Sequence, residues 1–108
     1  MELIKIGEEI YNTCKRLDEG ANKIYKFGTS YAEAEKAYRI ALAKEIMILR
    51  EQKIPATLVG DIARGNLADL KYKRDLAEMQ YKTSRDMLNA LQSEMSGLQT
   101  LYNKQTEI

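Results

Sequence analysis

The sequence predicts an all-α protein: an elongated, coiled-coil-like antiparallel helical hairpin. Three observations carry this. From Leu67 a three-four spacing runs without a slip through Leu70, Arg74, Ala77, Tyr81, Ser84, Leu88, Leu91, Met95, Leu98 and Tyr102, which is one seam of a helix near the 3.5-residue repeat. A second stripe at Tyr31, Ala34, Tyr38, Ala41, Glu45 and Ile48 has the same spacing. Between the two stands the chain's one proline, Pro55, which lacks an N–H and clashes with the preceding turn, so it ends a helix. A helix over residues 67–105 would be ~58 Å long, more than a compact domain of this length spans. The whole chain, 1–108, reads as a single helical domain.

The first helix is expected over about 3–26. Its stripe is Leu3, Gly7, Ile10, Cys14, Leu17, Ala21 and Ile24, narrow enough for one partner helix and with small residues where that partner comes close. Gly20 lies off this stripe. Gly28 reads as a helix stop, and Ser30 with Glu33 reads as a capping box that opens a second helix over about 31–52. In the hinge, residues 53–65, Pro55 closes that helix, Thr57 caps a short helix over 58–64, and Gly65 ends it in a left-handed conformation. Asn66 with Asp69 then opens the long helix over 67–105.

The two stripes can be laid antiparallel. Tyr31 then faces Leu88, Tyr38 faces Tyr81, Ala41 faces Ala77, and Ile48 faces Leu70. The two charged seam residues fall opposite each other, which predicts a Glu45–Arg74 ion pair fixing the register. Continued through Gly28, the same phase sets Ile24 against Met95 and Leu17 against Tyr102. This makes the first arm a kinked continuation of the second. The alternative folds residues 3–26 back into a three-helix bundle. Each layout strands apolar seam, so Leu3, Ile10, Leu91, Met95, Leu98 and Tyr102 are candidates for an oligomer or partner surface.

Composition narrows the function. Lys and Arg number 17 against 16 Asp and Glu, and a phosphate-backbone binder normally carries a clear basic excess, so nucleic acid is disfavoured. The chain has no His, which removes the usual general base and the commonest zinc ligand. Its acids fall on solvated helical faces. No catalytic or metal spacing results, and neither an enzyme nor a cofactor is expected. Cys14 cannot form an internal disulfide, which fits a reducing compartment or a bond between chains. No apolar run approaches the ~20 residues that cross a bilayer, and the first residues are not a secretory signal; the expectation is a cytoplasmic protein. Tyr31, Tyr38, Tyr81 and Tyr102 sit on the seams and read as packing residues. At the hinge, Arg50, Lys53, Arg64, Lys71 and Lys73 gather near two helix N-termini, a combination that favours anions. They are the candidate ligand residues, although Gly60 and Gly65 do not form a phosphate loop.

Residues 31–49, the hinge run Pro55, Ala56, Thr57, Leu58 with Asp61, Ile62, Ala63, Arg64 and Gly65, and the repeat that follows resemble small helical proteins encoded by phages and prophages of Gram-positive bacteria. The resemblance covers roughly residues 30–105. It implies a phage setting and the host cytoplasm, and it assigns no functional residues. Small phage proteins of this kind often bind a host protein or block a defence system. The function expected is therefore a non-enzymatic interaction protein that self-associates and binds a host or phage protein. The alternative is a helical oligomer that sequesters a nucleotide defence signal through the hinge cations.

Overall fold

The structure, a computed structural model, describes residues 2–107. It is all-α, with α1 (Leu3–Glu51), α2 (Ala56–Asn66) and α3 (Ala68–Thr106). Two compact units are present: residues 27–81, and residues up to 26 together with those from 82 on. In each of them α1 pairs antiparallel with α3.

The break expected at Gly28 is absent, because α1 is helical throughout. The capping box at Ser30 and Glu33 and the alternative in which residues 3–26 fold back are absent with it. Glycine inside a helix costs only about 1 kcal/mol relative to alanine. Here that cost meets a packing use, since a Cβ on Gly28 would stand 3.3 Å from Tyr81 Cε1.

α1 ends in a Schellman motif. The Ile54 N–H donates to the Leu49 carbonyl at 3.2 Å and the Lys53 N–H to that of Arg50 at 3.0 Å. Lys53 takes the left-handed conformation, φ 60°, that glycine usually fills there. Ile54 then packs back onto Leu49, the hydrophobic contact that accompanies this motif.

α2 is longer than the expected 58–64. Pro55 stands at its N-cap, with no side-chain cap from Thr57. Val59 and Ala63 are buried against Leu49, with Leu42, Ile46 and Ile54 around them; this is the main apolar cluster of the 27–81 unit. Gly65 is helical and not left-handed, because the chain never leaves the helical region for more than one residue. Leu67 alone intervenes before α3 (φ −107°, ψ 22°), and it already accepts from the Lys71 N–H at 3.0 Å. Asn66 does not cap α3; its amide donates to Glu45 Oε1 at 2.9 Å.

That contact accounts for a second correction. Because α2 lies back along the last turns of α1, α3 begins beside Glu45 and not beyond Ile48. The seam partners shift by one heptad. Tyr31 meets Tyr81 where Leu88 was expected, and Tyr38 meets Arg74 where Tyr81 was expected. The Glu45–Arg74 pair does not form: Glu45 is held by Asn66, and Arg74 turns to Glu35, Asp75 and the Tyr38 ring.

In the other unit the buried residues of α1 are Ile6 and Thr13, and those of α3 are Met95 and Leu98. Ile10, Leu17, Gly20 and Ile24 are half-buried with them, while Leu3, Cys14 and Ala21 of the expected stripe are exposed. Gly20 lies on the seam after all, since a Cβ there would meet Leu88 Cδ1 at 3.0 Å. Arg16 and Glu94 approach to 3.9 Å across the pair.

Candidate interaction surfaces

The 27–81 unit holds a polar layer inside its seam. The Tyr31 hydroxyl donates to Glu78 Oε2 at 2.6 Å, and its ring stacks on Tyr81 with centroids 6.1 Å apart. Tyr38 is 3% exposed, and the Arg74 guanidinium lies 4.7 Å from its ring centroid, a cation–π arrangement. Arg74 also reaches Asp75 Oδ1 at 2.8 Å and Glu35 Oε2 at 3.5 Å. These contacts shift the groups' protonation. The hydrogen bond to Glu78, with some burial, raises the Tyr31 hydroxyl above the usual tyrosine value. Hydrogen bonds from Arg74 and Lys71 hold the Asp75 carboxyl below the usual range, and Asp75 in turn raises Arg74. Arg74 is paired with Glu35 and Asp75, and Glu78 accepts from Tyr31, so these groups of the layer engage one another and order the helix pair.

Two of the hinge cations are engaged by acids on their own helices. Arg64 is tied to Asp61 at 2.6 Å within α2, and Lys71 to Asp75 at 3.1 Å within α3. Arg50, Lys53 and Lys73 are exposed. The helix spacing that gathers these cations in sequence also supplies each of these two with an acid one turn away.

Two surface hollows lie in the unit that contains both termini. One, about 140 Å³, sits beside Gly20 with Arg16, Lys23, Leu88 and Leu91 on its walls. Pockets for small molecules are usually several hundred Å³, so this one is small for a nucleotide. The other, about 440 Å³, is rimmed by Glu8, Glu9 and Glu94 with Lys5 and Leu98, an acidic rim that disfavours phosphate. Among the described residues no group of three or more His, Cys, Asp or Glu is arranged to hold a metal. Among the same residues, no helix is long and apolar enough to cross a membrane.

The expected leftover seam is smaller than the sequence implied. Met95 and Leu98 are buried, and Ile10 and Leu91 are half-buried, because α1 begins early enough to cover them. Leu3 and Tyr102 remain exposed. Sequence reasoning missed other apolar surface at helical spacing. On α1 these are Ile4, Tyr11 and Tyr25 and then Ile40 and Met47; on α3 they are Tyr72, Leu76 and Met79. The available signal was the width of the apolar arc on α1, which exceeds what one partner helix covers.

No protein-family profile, curated protein or solved structure matches the chain.

Proposed function

We propose that this protein is a non-enzymatic helical interaction module. It self-associates through a helix face and docks on a protein partner, in the cytoplasm of an infected host if the phage resemblance is followed. The observation that carries this reading is the set of large apolar side chains left in water at helical spacing on the outer faces of α1 and α3. Scattered apolar residues are ordinary on a surface; a contiguous exposed apolar patch marks a contact surface. The nucleotide reading has less support, since two of its five cations, Arg64 and Lys71, pair with neighbouring acids.

Sedimentation equilibrium from low to high micromolar, followed by affinity capture on the immobilised chain from host lysate, tests the proposal. Mass rising with concentration and one protein retained in stoichiometric amount are expected. A strict monomer that retains nothing removes the reading.

A further inference from the structure

The first half of α1 presents two faces. One, through Ile6, Ile10, Thr13, Leu17, Gly20 and Ile24, packs against α3 in the same unit. Roughly a third of a turn away runs another three-four row: Ile4, Gly7, Tyr11, Cys14, Asp18, Ala21 and Tyr25. Its large members are mostly exposed, Ile4 at 75%, Tyr11 at 65% with Lys15 Nζ 5.7 Å from its ring centroid, and Tyr25 at 77%. We infer that this second row is the contact between two copies of the chain, paired antiparallel about a two-fold axis that passes beside Cys14. The inference rests on the self-association proposed above and names the surface that carries it.

The row is complementary to itself when reversed. With Cys14 facing Cys14 of the second copy, Ile4 meets the second copy's Tyr25, Gly7 meets its Ala21, and Tyr11 meets its Asp18. Ile4 faces Tyr25, and the small Gly7, Cys14 and Ala21 face one another, so the two helices can approach closely. A two-fold contact requires this kind of self-complementarity. Asp18, the one charge in the row, sets the direction. Antiparallel pairing brings it to a tyrosine hydroxyl that can donate to it, whereas parallel pairing in register would set Asp18 against Asp18. On the flank nearest α3 the reversed pairs are Leu3 with Ile24 and Ile10 with Leu17. All four are apolar and only partly covered within one chain, so the second copy would finish burying them.

The area agrees. The chain exposes 8130 Å², while a folded monomer of 12.4 kDa exposes ~6,100 Å², a surplus of about 2,000 Å². A standard interface removes ~800 Å² from each partner, so the surplus is large enough to supply one.

Cys14 and the Tyr11–Asp18 couple make the test specific. The full chain is treated with a short bismaleimide, which joins two thiols by addition without an oxidant, and its mass is measured by light scattering. A dimer cross-linked through Cys14 is expected. Tyr11→Asp, which sets a carboxylate against the second copy's Asp18, should weaken association at least tenfold with helicity by circular dichroism unchanged. Adding Asp18→Lys to Tyr11→Asp should restore association. Within one chain positions 11 and 18 are two turns apart, ~10 Å along the axis, so such a rescue arises between copies. A dimer that resists the cross-linker and ignores Tyr11→Asp overturns this surface while leaving self-association intact. A strict monomer overturns both.

Discussion

Gly20 and Gly97 are both mid-helix glycines, yet their surroundings are opposite. A Cβ on Gly97 meets nothing within 4 Å, whereas one on Gly20 meets Leu88 Cδ1 at 3.0 Å. Alanine in a helix interior gains about 1 kcal/mol over glycine when nothing obstructs it. Gly97→Ala should therefore raise stability by roughly that amount in urea denaturation. Gly20→Ala should gain distinctly less, because the Leu88 side chain must give way. Equal gains at both sites would mean that Leu88 does not approach Gly20. Lys53 tells a similar story in the backbone. Its φ of 60° costs a side-chain-bearing residue about 1 kcal/mol that glycine avoids. Lys53→Gly should stabilise by about that much, read as a higher urea midpoint with the slope unchanged; a lower midpoint would contradict the Schellman closure of α1.

Between helices, the polar layer of α1 and α3 makes a prediction in pH. The Tyr31 hydroxyl titrates above its ordinary value because it donates to Glu78. Its folded form therefore holds the proton more tightly than the unfolded chain, whose tyrosine pKa is about 10. The stabilisation is complete below that value and is lost as pH rises through the folded one. Thermal melts of the wild type and Tyr31→Phe should keep a constant gap up to about pH 9 and converge above pH 10. A gap that stays constant into strong alkali would show that the bond to Glu78 contributes nothing. The same pair of helices marks how far the sequence could be read. The α3 seam from Leu67 to Leu98 is buried or half-buried position for position as its spacing indicates. The register was not legible, because a slip of one heptad returns every apolar residue to the seam and only particular contacts tell the two apart. Here the contact was Asn66 with Glu45, created by an α2 longer than Thr57 and Gly65 suggested. On α1 the stripe through Leu3, Cys14 and Ala21 runs between two real faces. A periodicity averages two adjacent faces into one that points at neither. Two of the candidate ligand residues, Arg64 and Lys71, pair with acids one turn away, which sequence proximity of cations alone does not register.

At the level of the whole molecule, the two units differ in what shields their backbone. Residues 27–81 include α2, which closes Leu42, Ile46 and Leu49 under a third helix. Among the described residues the other unit has two helices, with α1 showing its second apolar row to water. Regions with few buried apolar contacts open most readily, and amide exchange reads this directly. Exchange at low concentration should therefore be faster in residues 3–26 and 82–106 than in 42–63. Association through residues 4–25 adds contacts to the weaker unit alone. Because ligation by a second copy stabilises the folded form as the logarithm of its concentration above Kd, raising the protein from about 1 to 100 μM should slow exchange in 3–26. Exchange in 82–106, which folds with that stretch, should slow as well, while 42–63 stays unchanged. Tyr11→Asp should abolish the concentration effect and leave the low-concentration pattern as it was. If protection instead grows along α2, or along the row of Tyr72, Leu76 and Met79, the copies meet elsewhere. The second face of α1 would then be free for the protein partner.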